Sequence, residues 1–186
     1  MEVSKFDIKG PMLLTPRSFK DERGLFLESF NLRKLSEIGI NNIFVQDNVS
    51  ESRLGVLRGL HYQIIPLAQA KMIIVLSGKI LDIAVDIRKG SPTYGKHISV
   101  ELSSTERNML FIPNGFAHGF IALQDNTIVQ YKCDEYYSPE HERGINYSDP
   151  ALNIDWKYPE DKMIVAKRDL EFPNLDKADM NFIYEG

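Results

Sequence analysis

One cysteine, Cys133, and one tryptophan, Trp156, are all that 186 residues contain of those two types. A single thiol excludes an intrachain disulfide framework and suits a reducing compartment. Positive charge is not in surplus. The 22 Lys and Arg stand against 26 Asp and Glu, and a formal net charge of −4 removes the electrostatic case for nucleic acid. No apolar stretch approaches the roughly 20 residues of a membrane-spanning helix. The opening segment, MEVSKFDIKG, has no apolar run after a basic start, so no secretory leader is expected. Internal repeats, low-complexity tracts and an interdomain linker are also missing. With 43% hydrophobic and 26% charged residues, the expectation is a single globular domain over residues 1–186 in the cytoplasm, without a membrane or nucleic-acid partner.

Helix signals are scarce as well. Asn31 can cap a short helix with Leu32, Leu35 and Ile38 on one side, and Gly39 ends it. Elsewhere the chain reads as short strands. Phe6 to Leu14, interrupted by Gly10-Pro11, suggests an arm or edge strand. Leu25 to Phe30 follows the Asp21-Glu22-Arg23-Gly24 turn. Met72 to Leu76 is continuously apolar, which predicts a strand buried on both faces. Ile80 to Ile87 alternates instead, with Leu81, Ile83, Val85 and Ile87 on one face and Asp82, Ala84 and Asp86 on the other. Ile98 to Leu102, Met109 to Ile112, Phe116 to Leu123 and Thr127 to Cys133 continue the series. Turn-punctuated strands of this kind predict an all-β sandwich or barrel with a few short helices.

Two stretches carry the chemistry: GVLRGLHYQIIPLAQAKMIIVLSG, from Gly55 to Gly78, and IPNGFAHGF, from Ile112 to Phe120. They resemble the two motifs of the cupin jelly roll, the double-stranded β-helix. In the first, five residues separate Gly55 from His61, Gln63 stands where a second His belongs, Lys71 takes the Glu position, and Gly78 follows. The second is met by Pro113, Gly115 and His118. A metal cupin presents three His and one Glu to a divalent ion. Here an amide and an ammonium replace two of those ligands, and an ammonium repels a dication at contact distance. The expectation is a cupin site with no metal and no other cofactor.

The longer series ERGLFLESF, FVQDN, VLRGLHYQ, LDIAVDIRKGSPTYG, IPNGFAHGF, YKCDEYYSPEHERGI and DPALNIDW resembles the dTDP-4-dehydrorhamnose 3,5-epimerases over most of residues 16 to 173. The resemblance implies inversion at C3 and C5 of a dTDP-linked 4-keto-6-deoxy sugar through enolates. His61 matches the base, Asp169 the carboxylate that orients it, Tyr131 the proton donor on the opposite face, and Lys71 the cation near the carbonyl. Arg23 and Arg58 match residues on the diphosphate, and Tyr137 an aromatic that stacks on thymine. Glu28, Gln46, Asn48, His118 and Glu142 match polar contacts to nucleotide or sugar, and Arg168 joins them where lysine is usual. The resemblance further implies a homodimer whose N-terminal arm, about residues 1–30, carries Arg23 and Glu28 to the partner.

Other readings of the same residues stand beside these. His118 can hold the barrel by hydrogen bonds, Tyr131 and Tyr137 can be core aromatics, and Arg23 with Glu28 can form a surface ion pair. The chain departs from the family pattern at Ile64-Ile65-Pro66-Leu67, Val49 and Lys157. A single-carbon epimerase or a keto-sugar isomerase would share these motifs. A metal-dependent cupin conflicts with Gln63 and Lys71. A non-catalytic sugar-binding cupin predicts loss of the acid–base pair that His61 and Tyr131 supply.

Overall fold

A computed structural model describes all 186 residues. Strands β1 (Glu2–Lys5), β2 (Met12–Thr15), β3 (Ser18–Asp21) and β4 (Gly24–Leu27) precede helix α1 (Leu32–Glu37). Then come β5 (Gln46–Ser52), β6 (Val56–Gln63), β7 (Lys71–Ser77), β8 (Lys79–Asp86), β9 (His97–Ser103), β10 (Met109–Ile112), β11 (Phe116–Ala122) and β12 (Thr127–Cys133). The C-terminal segment adds β13 (Glu142–Gly144), β14 (Ile164–Val165), helix α2 (Lys167–Leu170) and two 3-10 turns.

These strands form two sheets. One runs β1-β2-β10-β7-β12-β5 and the other β13-β6-β11-β8-β9, with β14 also paired to β6; the β3–β4 hairpin pairs only with itself. The architecture is the all-β sandwich that turn spacing predicted. Between the sheets lie Ile73, Val75, Ile80, Ala84, Leu102, Leu110, Phe116, Phe120 and Val129. Outside the first sheet, α1 covers Met72 and Ile74 with Leu35. Outside the second, Ile145, Leu152, Trp156, Met180 and Phe182 of the C-terminal segment cover Leu81, Ile83, Val85 and Ile87. The central strands are therefore buried on both faces, which is why Met72 to Val75 is apolar without a break. Asp82, on the inward face of β8 with Ile80 and Ala84, is fully buried.

Local chemistry sets most boundaries. The Asn31 side chain accepts the Lys34 N–H at 3.2 Å, and Gly39 leaves the helix at φ +89. Of the expected Phe6–Leu14 strand only Met12–Leu14 forms, in β2, and residues 6–11 are the loop that joins β1 to β2. Gly10, at φ +128, and Pro11 cannot continue a ladder, so the chain turns there and β1 folds back on β2.

At Gly59, in RGLH, β6 passes directly against Gly119 of AHGF. A Cβ on Gly59 would lie 2.5 Å from the Gly119 Cα, and its φ is +134. Steric and backbone strain together should cost Gly59→Ala roughly 3 kcal/mol, a fall in Tm of about 6–12 °C by thermal denaturation. Gly90→Ala has positive φ but open space around it, so it should lose only the backbone part. Equal losses in the two variants would show that the Gly59–Gly119 approach is not what the sequence protects.

Candidate active site

His61 on β6 and His118 on β11 are register partners, so the two motif histidines stand side by side on neighbouring strands. Both line a cavity of about 440 Å³ opened between the sheets. From the other sheet come Asn48 on β5, Lys71 on β7, and Tyr131 and Cys133 on β12. The cavity thus has an imidazole wall and a phenol wall contributed by different sheets.

The His61 ring is held on two sides. Its Nε2 lies 2.9 Å from Asp169 Oδ1, and Phe172 meets it edge-on at 5.5 Å between centroids. Asp169 arrives by an indirect route. β14 runs parallel to Val56–Leu57 of β6, and α2 follows at once over that strand. There Oδ2 accepts the Gly59 N–H at 3.2 Å, and the residue is 2% exposed. Burial alone would raise the Asp169 carboxyl. The hydrogen bond and charge of His61, the Gly59 N–H and the nearby Arg168 outweigh it, and the carboxyl sits below its ordinary value. When the ring is uncharged and Nε2–H donates to Asp169, the lone pair falls on Nδ1, which has no protein hydrogen-bond partner. That is the arrangement of an oriented base.

Across the cavity, the Tyr131 hydroxyl lies 2.6 Å from Ser50 Oγ and its ring packs against Phe120. Burial pushes the phenol pKa up, so at neutral pH it holds a proton to give. Lys71 forms no hydrogen bond or ion pair and opens on the same cavity. Burial pushes its ammonium pKa down, against the pull of Cys133, Glu142 and Asp82. His118 does both things the sequence allowed. It lines the cavity, and its Nε2 is 3.0 Å from each oxygen of the buried Asp82, whose carboxyl burial raises against the opposing effect of His118. Gln63 faces none of this. Its amide is used by Leu67 O, Tyr136 O and the Ser138 N–H, so the expected amide in the site is a clamp on two loops. No three His, Cys, Asp or Glu side chains converge as a metal cage.

At the mouth, Glu142 accepts from the Tyr137 hydroxyl at 2.8 Å and from Arg168 at 3.0 and 3.3 Å. The carboxylate beside it raises the Tyr137 phenol. Arg168 Nε also lies 3.3 Å from Asp169 Oδ1. Arg58 lines the cavity and is aimed by Ser52 Oγ and Glu51 O. Gln46 does not line it but braces two residues that do: Nε2 donates to Asn48 and Oε1 accepts the Tyr137 N–H. Arg23 and Glu28 are elsewhere. Arg23 is paired with Asp21 and Glu28 with Lys34, and neither lines the cavity of its own chain.

Three participants escaped sequence reading: Ser50, Asp82 and Phe172. Asp82 left a signal, an acid repeating on the inward face of an otherwise apolar strand. Ser50 and Phe172 left none, because strand pairing and the return of the tail bring them in.

The family model described as dTDP-4-dehydrorhamnose 3,5-epimerase matches residues 5–177. The dTDP-4-dehydrorhamnose 3,5-epimerase of Shigella flexneri is 45% identical over 96% of this chain and 98% of its own. That of Methanothermobacter thermautotrophicus is 47% identical over 92% of each. The dTDP-6-deoxy-D-glucose-3,5-epimerase of Legionella pneumophila, solved in complex with dTDP-4-keto-L-rhamnose, superposes with a TM-score of 0.95. It is 41% identical and covers 100% of this chain and 99% of that one.

Proposed function

The chain belongs to the dTDP-4-dehydrorhamnose 3,5-epimerase family, and from that premise we propose that it inverts C3 and C5 of dTDP-4-keto-6-deoxy-D-glucose to give dTDP-4-keto-L-rhamnose. The observation that carries this reading is the pair of facing walls, His61 with Asp169 on one and Tyr131 on the other, around an unpaired Lys71. A ketone at C4 acidifies the C–H bonds on both sides of it. His61 takes the proton, Asp169 steadies the ring that becomes charged, and the Lys71 ammonium offsets the charge on the enolate oxygen. Tyr131 then protonates the carbon from the opposite face, and the centre is inverted. Arg58, and Arg23 of a second copy, suit the diphosphate as bidentate donors. Tyr137 stacks on the thymine, and Asn48, Gln46, His118, Glu142 and Arg168, with Glu28 of the second copy, supply polar contacts.

Incubation with dTDP-4-keto-6-deoxyglucose in deuterated water should place one deuterium at C3 and one at C5, read by NMR. Incorporation at neither carbon would overturn the reading, and incorporation at one alone would make the enzyme a single-carbon epimerase. Lys71 also replaces a metal ligand by a cation, so activity should survive EDTA within about twofold. Abolition by chelation and recovery with a divalent ion would contradict that role for Lys71.

The assembly is a homodimer. The β3–β4 hairpin pairs with no other strand of its own chain and exposes Phe19, Leu25 and Phe26, the last to 71%. An apolar hairpin of this kind finds cover in a second copy, and Arg23 and Glu28 travel with it. Sedimentation should give a dimer at micromolar concentration, and a monomer at every concentration would rule the arrangement out. A buried free thiol and a net charge of −4 fit a cytoplasmic protein with no nucleic-acid partner, and no helix is long and apolar enough to cross a membrane.

A further inference from the structure

The Tyr131 hydroxyl has a single hydrogen-bond partner in the protein, Ser50 Oγ at 2.6 Å. Tyr131 lines the cavity, whereas Ser50 does not. Ser50 lies on β5, the outermost strand of its sheet, and is only half-buried. The serine hydroxyl therefore links the phenol to a half-buried edge strand without itself lining the cavity. The direction of the bond follows from the work asked of the phenol. Its own hydrogen must point into the cavity to reach a carbon, so Ser50 donates and the phenol oxygen accepts.

The double inversion proposed above makes a demand that one inversion does not. After the first, His61 carries the proton it removed and Tyr131 is a phenolate. Both must be reset while the once-inverted sugar still fills the cavity. We infer that Ser50 is the positioning residue through which Tyr131 is reprotonated between the two inversions. Its O–H bond breaks as its proton joins the phenolate oxygen, and a water O–H bond breaks as that water's proton joins Ser50 Oγ. The hydroxide left behind takes up the proton that His61 releases, so nothing is consumed. A hydroxyl donor to a phenolate makes a short, strong hydrogen bond, so Ser50 also steadies the anion until the proton arrives. Arg58 and Cys133 line the same cavity without hydrogen-bonding to the phenol.

The inference rests on the epimerase reading, and the test separates the two. Ser50→Ala and Ser50→Thr are followed by quenched time courses in deuterated water, with deuterium counted at each carbon. In Ser50→Ala the first inversion should stay within about threefold of the native rate, since Tyr131 begins protonated. The second should slow by roughly tenfold or more, so that a singly inverted sugar accumulates. Ser50→Thr keeps the hydroxyl and should restore the native ratio. Equal slowing of both inversions would reduce Ser50 to holding the ring in place, and an unchanged ratio would remove it from the proton path; either overturns the inference. Absence of exchange at both carbons in the native enzyme would instead overturn the epimerase reading on which it stands.

Discussion

His61→Asn should lose deuterium exchange and inversion together, while Tyr131→Phe should lose inversion and keep exchange. The difference follows from the two walls. An asparagine at position 61 preserves size and can hydrogen-bond Asp169, but an amide does not take a proton at neutral pH, so no enolate forms. Turnover should fall by about 10³–10⁴, since nothing else on that wall can replace the base. His118 is committed to Asp82 through Nε2, and Lys71 stands on the opposite sheet. In Tyr131→Phe the base, its Asp169 support and Lys71 are intact. The enolate forms, and His61 returns a proton that has exchanged with solvent to the face it came from. The sugar gains deuterium at C3 with its configuration retained, and inverted product falls by about 10²–10⁴. NMR of recovered substrate reads both outcomes in one sample. Exchange surviving in the asparagine variant would remove His61 from the mechanism, and full inversion in the phenylalanine variant would remove Tyr131.

These residues were legible in the sequence to different degrees, for physical reasons. His61 and His118 are marked by glycines because β6 and β11 approach so closely at Gly59 and Gly119 that no side chain fits. Tyr131 and Cys133 share a face of β12 through simple alternation, and both line the cavity. Asp169 was accessible only through family resemblance. It lies in a charged tail, KRDL, whose composition says solvent, and only the parallel pairing of β14 with β6 turns it inward. Gln63 was legible as a lost metal ligand but not in its actual task, because the loop carbonyls it serves belong to segments 4 and 73 residues away in the chain. The loop over residues 6–11 between β1 and β2 shows the same limit. Local chemistry marks a break, and only tertiary pairing says which side becomes the edge.

Lys71→Met should make the protein more stable and nearly inactive. The ammonium has no counterion within ion-pair distance, and burial pushes its pKa below that of an ordinary lysine. A group of this kind opposes folding while it is charged. The sign follows from proton counts. Between the folded pKa and the higher unfolded one, the unfolded chain binds more protons, so native stability rises with pH through that window. Below both values the full penalty is present. Methionine fills similar volume without the charge, so Lys71→Met should be about 1–2 kcal/mol more stable at pH 7, a rise in Tm of roughly 2–8 °C. That advantage should shrink as pH climbs past the folded pKa toward the ordinary lysine range, because above that window the lysine is uncharged in both states. Turnover should move the other way. Without a cation at the enolate oxygen, kcat should fall by about 10²–10³ with little change in nucleotide affinity, since the charge it answers develops only in the transition state. The native enzyme should also lose kcat on the alkaline side earlier than an ordinary lysine would dictate, and the residual activity of Lys71→Met should lack that limb. Thermal melts at two pH values, with kcat profiles of both proteins, test all of this together. A variant less stable than the native protein at pH 7, or one with kcat within a few-fold, would mean that the unpaired ammonium is structural. An ammonium kept without a partner at a cost in stability is otherwise explained by the charge that the substrate brings to it.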